Sequence, residues 1–401
     1  TTLIFAQQKP IVEEIFETVL LKNVNIVFSS DNILKDGMVL IEDGFIKEIG
    51  KDLTLRRNSF VVDGNNYYLY PGLIDATFLH SHKIPKPRDT VAFTPGTAPN
   101  FIAGIQPEIE SRLFIDGNFK KHHEFGFTNA LFSFDGGLIS GQPTFLDLHS
   151  KENQILLSHF GILYRFKNTN RVYPSALIGM MAKIRQLFYD AKYYGERKEN
   201  FFRDNSQPKV EFDETSEILL KVLSKEIPVM FEAQTANQIR RALQLKKEFN
   251  FELILLGADE AFKVIDEIKS ANVPLILSLD FPQKPLDKIT TDTLKYFSKD
   301  YSSYFIKEEV SHLRKRQEEV RLNLLSNPKI LKSNNIPFTF GSFKTNLDTA
   351  KINLRLLLKH GMSEDDLFKA LTTSAATIFN LDEKIGKLEA GYFANFILTD
   401  L

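Results

Sequence analysis

Residues 227–257 read IPVMFEAQTANQIRRALQLKKEFNFELILLG. The opening IPVMFEA is a short apolar run of the kind a buried strand carries, and FELILLG at the end is another. Between them TANQIRRALQLKKEF has the spacing of an amphipathic helix, with Thr235 placed to cap it. A buried strand, a helix and a second buried strand make a parallel βαβ unit.

The rhythm continues on the C-terminal side. DEAFKVIDEIKSAN reads as a helix, VPLILSLD as a strand, and about 285–332 as a long polar helical region. IPFTFGS is a further strand, and LDTAKINLRLLLKHG a helix ended by Gly361. Ser363–Asp366 has the capping-box pattern that opens one more helix. The span 70–380 therefore predicts an α/β fold, a (β/α)8 TIM-like barrel, with a doubly wound open sheet as the alternative.

Both ends of the chain read differently. Residues 19–69 carry short β segments, among them MVLIEDGFIKEIG, two apolar runs joined by Asp43-Gly44, a strong hairpin signal. SFVVDGNNYYLYPG reads as another strand pair, and KIGKLEAGYFANFILTD returns to β. The reading predicts one small β-sandwich domain built from residues 19–69 and 381–401, because domain ends commonly lie close together. Residues 1–18 read as a signal-peptide remnant and leader, cleaved after Ala6, so an extracytoplasmic (periplasmic or secreted) location is expected, with a cytoplasmic one as the alternative. FANFILTDL stops within or just after a strand, so a longer protein is expected.

Composition narrows the function classes. The 401 residues carry 50 basic and 51 acidic side chains, a balance that gives no electrostatic reason to expect nucleic acid as partner. No apolar run reaches the roughly 18 residues of a transmembrane helix. Cysteine is absent, which removes disulfides, thiolate metal sites and cysteine nucleophiles together.

The layout resembles the amidohydrolase superfamily. GMVLIEDGFIKEIG resembles its N-terminal sheet, YPGLIDA the entry to its first barrel strand, and GFTNALFSFDGGLISGQ its second strand and following loop. ALTTSAATIFNLDEKIGKLEAGYFANFILTD resembles its closing helix and returning strands. YPSALIGMMAKIRQLFYDAKYY and IPVMFEAQTANQIRRAL resemble an imidazolonepropionase-related subgroup. The resemblance implies hydrolysis of C–N or similar bonds by zinc or another divalent metal at the C-terminal mouth of the barrel.

The ligands that the resemblance implies are missing from their positions. After Pro-Gly-Leu-Ile-Asp, one residue and then His-x-His should follow; here Asp75 and Ala76 are followed by Thr77, Phe78 and Leu79. His80 and His82 form an H-x-H about 10 Å further along, the reach of three strand residues. The strand-five histidine position holds Glu232 and the strand-six position Gly257. The strand-eight aspartate position holds Phe343, just after Ser342, while the strand-three or strand-four bridging position is left open. None of the eight histidines lies between 160 and 311, where strands four to seven are expected.

The expectation is a degenerate member, resembling the N-terminal half of a tandem amidohydrolase. It holds no metal or other cofactor, has no catalytic residues, and plays a structural or binding role beside a second amidohydrolase domain downstream or on a partner chain. One alternative is a metal-dependent hydrolase with an unconventional pocket around His80, His82, Glu232, Asp280 and Ser342. Another is a solute-binding barrel. Glu232 and Asp280 end barrel strands, where they fit either metal-free acid/base work or pairing with a basic or backbone group, and the latter is expected. Gly136, Gly137 and Gly141 lack the lysine of a phosphate loop and read as turn glycines. His122-His123 reads as surface, and HLRKRQEEVR as a solvated helix face.

Overall fold

The computed structural model describes residues 18–54, 59–80, 98–115, 118–148, 154–167, 169, 172–281 and 303–400. The leader, His82 and residues 285–302 of the expected polar helical region lie outside them. The central feature is a five-stranded parallel sheet of β10 (Ile162–Arg165), β11 (Val229–Ala233), β12 (Leu253–Gly257), β13 (Leu275–Ser278) and β14 (Phe338–Gly341), in that order. Every residue of these strands is buried, as a sheet covered on both faces requires. The connection from β11 to β12 is the helix Ala236–Phe249, whose Thr235 and Gln238 complete a capping box. The segment DEAFKVIDEIKSAN, expected as one helix, is a 3-10 turn at Ala261–Lys263 followed by the helix Ile265–Ala271.

A second sheet holds β6 (Leu73–His80), β7 (Phe127–Phe134), β8 (Thr144–Asp147) and β9 (Gln154–Leu157). β6 and β7 are parallel, but β8 and β9 run antiparallel, so regular βα alternation is interrupted here. Among the described residues, the strand ladders of the two sheets do not close into one ring. Single hydrogen bonds join them instead. Phe343 N–H donates to Thr77 C=O at 3.1 Å, and Leu138–Gly141 exchanges bonds with Leu163 and Arg165 of β10. At the first seam Gly341 is obligatory, because a Cβ there would stand 2.7 Å from the Thr77 carbonyl oxygen. Gly137, read as a turn glycine, also marks close backbone packing: its Cβ would stand 2.5 Å from the Gly104 Cα.

Strand periodicity separates two cores. Val229, Phe231, Leu253, Leu255, Leu275 and Leu277 face the helices in the larger cluster. Their alternates Met230, Ile254, Leu256 and Ile276 join Leu163, and from the other sheet Ile74 and Leu131, in a common interior. The two sheets thus share an inside, although no ladder joins them among the described residues.

The chain ends form a single six-stranded sheet among the described residues, not a sandwich. β1 (Thr18–Ser29) pairs with β2 (Asn32–Glu42), and β2 with β3 (Phe45–Gly50) across Asp43 and Gly44, both at positive φ. β15 (Phe396–Thr399) lies antiparallel to β5 (Tyr68–Pro71). β4 (Phe60–Asp63) and β5 do not pair with each other as the sequence reading expects. Both run parallel to β1, one after the other. Asn65 and Asn66, each with positive φ, jog the chain sideways between them, with Asn66 N–H bonded to Asn23 C=O.

Candidate functional site

The inner face of the strands carries charge at its C-terminal end. Glu232 lies two residues beyond Met230, and Arg165 two beyond Leu163, so both share the parity of the interior. They are directly opposite in the β10–β11 register. Arg165 Nε donates to Glu232 Oε2 at 2.5 Å, and its Nη1 donates to Asp135, which Lys167 also holds at 2.6 Å. The other Glu232 oxygen accepts from Lys344 Nζ at 3.0 Å and from Gln234 Nε2 at 2.9 Å. Burial alone would raise the Glu232 carboxyl, but the charges and hydrogen bonds of Arg165 and Lys344 outweigh it and hold the pKa below the usual carboxylate range. Asp135 is lowered in the same way, with burial opposed by Lys167 and Arg165.

The wall formed by β6 and β14 is different. Asp75, fully buried, accepts from Ser342 N–H at 2.8 Å and from Ser342 Oγ at 2.5 Å. His122, expected at the surface, is half-buried in the short helix α1 (Lys120–Phe125). Its ring lies 4.7 Å from that of Phe78, and its Nε2 stands 3.4 Å from Asp75 Oδ2. Ser342 is bonded to the aspartate, so the three groups do not form a serine–histidine nucleophile pair. Thr77 is fully buried with no hydrogen-bond partner for Oγ1. Phe343, 1% exposed, packs into the inner core.

Of the expected pocket, Ser342 and Asp280 line different cavities. Leu79, Ser342 and Phe343 line a cleft of about 610 Å3 together with Lys120, Lys121 and Lys344. Gly257 and Asp280 line a separate cavity of about 30 Å3 with Asp259 and Ser278. Asp280 is exposed, and its N–H donates to Ser278 Oγ at 3.1 Å. Burial pushes the neighbouring Asp259 carboxyl upward against the opposing charge of Lys344. His80 closes β6, and His82 lies outside the described residues.

Residues 202–401 match the amidohydrolase family. No curated protein matches the chain. Among solved structures, an amidohydrolase from Thermotoga maritima is 21% identical with a TM-score of 0.73, covering 95% of this chain and 93% of that one. A second amidohydrolase is 14% identical (TM-score 0.52, covering 96% and 92%). A prolidase complexed with N-methylphosphonate-L-proline is 13% identical (TM-score 0.50, covering 95% and 92%). These likenesses give the fold as α/β, of the TIM-barrel type.

The amidohydrolase match implies a divalent metal, which the residues here do not fit. Leu79, Gly257 and Phe343 offer no side-chain donor, and Thr77 offers one weak oxygen. Both oxygens of Glu232 are occupied by cationic partners. Among the described residues no group of three His, Asp or Glu side chains is placed to hold an ion. Arg165, Lys344 and Asp135 escaped the sequence reading. The only available signal was position: Arg165 ends a strand, and Lys344 follows Phe343 just beyond another.

Proposed function

We propose that this chain is an amidohydrolase-superfamily barrel, akin to the imidazolonepropionase-related subgroup, in which internal ion pairs have replaced the metal. It then acts as a structural or binding domain beside an active barrel, located downstream in a longer chain or on a partner. Residues 19–69 and 381–401 would form its composite β domain and 70–380 the barrel, and the protein would work outside the cytoplasm. The observation that supports this is the pairing of Glu232. The sole carboxylate at the five substituted ligand positions is neutralised by Arg165 and Lys344. A cation drawn to that carboxylate would have to displace a guanidinium and an ammonium while gaining few other ligands. A solute-binding barrel acting alone is the second reading, favoured by the cleft beside Phe343.

Metal analysis of the purified chain after equilibration with zinc tests the proposal, together with turnover on amide and ester panels. The expected result is substoichiometric metal and no turnover. A stoichiometric metal lost on Glu232→Ala, or turnover abolished by that change, would promote a metal-dependent hydrolase with an unconventional site.

A further inference from the structure

We propose that the cleft between α1 and the loop after β14 binds a small organic anion, with an apolar or aromatic body and one carboxylate or phosphate end. The inference rests on the binding role proposed above and gives it a ligand class. The cleft's volume, about 610 Å3, is that of a small-molecule site. Phe78 and Leu79, each half-buried, contribute its apolar lining. Phe78 is fixed by edge and tilted contacts to Phe119 at 5.8 Å and Phe132 at 5.1 Å, so the surface is preformed.

The charged part of the lining has a single sign. Lys120, Lys121 and Lys344 contribute ammonium groups, and none of the described lining residues is acidic. Lys120 is braced by Glu124 at 3.8 Å, and Lys344 by Glu232 at 3.0 Å, which holds Nζ in place at the cost of part of its charge. The helix Leu347–Lys359, capped by Asn346 on Thr349 N–H at 2.8 Å, begins in the same lining and turns its positive end there. A bare anion would leave the aromatic surface unused, and a neutral apolar molecule would desolvate lysines without pairing them. A ligand carrying both features satisfies both parts of the lining.

Titration of the full-length chain, followed by calorimetry and by ligand NMR, tests this. The probes are 3-phenylpropionate, phenyl phosphate, the neutral 3-phenylpropan-1-ol and inorganic phosphate. At least one aromatic anion should bind, about tenfold more tightly than both the alcohol and inorganic phosphate. The better anion identifies the head group as carboxylate or phosphate. In Lys120→Gln/Lys121→Gln, whose changes lie on an exposed helix face, its affinity should fall about tenfold with the melting temperature unchanged. Equal binding of acid and alcohol, parental affinity in the variant, or no binding of either aromatic anion would each overturn the proposal. A stoichiometric metal in the same preparation would instead defeat the non-catalytic reading and leave an observed anion site standing.

Discussion

The two walls of the barrel mouth depart from a metal site in opposite ways. On the β6–β14 side stand Thr77, Leu79 and Phe343, and Phe343 packs into the interior. On the β10–β11 side the wall stays charged, but the charges are spent on one another, through Asp135, Arg165, Glu232 and Lys344. The contrast shows that a carboxylate at the barrel mouth cannot be read as a metal ligand from its position alone. Its partners decide, and here they are cations supplied by the protein.

The largest effect that would sharpen this contrast is expected on the charged wall. Glu232→Ala leaves Arg165 half-compensated in a buried position, and should cost about 3–5 kcal/mol in urea unfolding. A paired Arg165→Met/Glu232→Leu change should cost much less, because it removes both charges together. If the single and double variants unfold alike, the pair is not the unit of stability proposed. The same wall has a pH signature. A carboxyl lowered in the folded state contributes stability that is complete above its unfolded value, near 4.3 for glutamate. That contribution is lost as the pH falls through the lower folded value, so acid unfolding of the parent should steepen below about pH 4.5. Glu232→Gln should flatten that part of the curve, and a profile unchanged by the substitution would detach it from this carboxyl.

A smaller loss is expected on the other wall. Asp75→Ala removes the acceptor for Ser342 N–H and Oγ, and should cost about 2–3 kcal/mol by the same measurement. A loss well under 1 kcal/mol would mean that the Phe343–Thr77 bond holds the seam without it. The smallest effect has the opposite sign. Thr77→Val removes a buried hydroxyl that lacks a partner and keeps the shape, so stability should rise by up to about 1 kcal/mol. Destabilisation on this change would point to a hidden partner for Oγ1.

The parts of the fold legible in the sequence are those coded locally. Thr235 and Gln238 cap their helix with side chains three residues apart, and Asp43-Gly44 forms its turn without help from distant residues. The pairing of β4 and β5 was misread, because SFVVDGNNYYLYPG looks like a hairpin until Asn23 and Val19–Lys22 are alongside. At the site, the lack of side-chain metal donors at Leu79, Gly257 and Phe343 follows from residue type alone. Arg165 and Lys344 were not legible in that way, since a basic residue at a strand end looks the same whether it meets water or a buried glutamate. Their partners lie on other strands, brought together only by the sheet. His122 was hidden for a similar reason: a six-residue helix carries too little pattern to show which face turns inward.

The seating of β15 against β5 bears on how the chain is made. β5 leads directly into β6, and the strand that covers its open edge is synthesised only after the whole barrel span between them. Until that strand emerges, Tyr68–Pro71 would present unpaired backbone groups to any neighbouring strand, including one from another nascent chain. The closing contact spans most of the sequence, which makes it slow to form. The edge of one short strand is thus a point at which correct folding and misassociation compete.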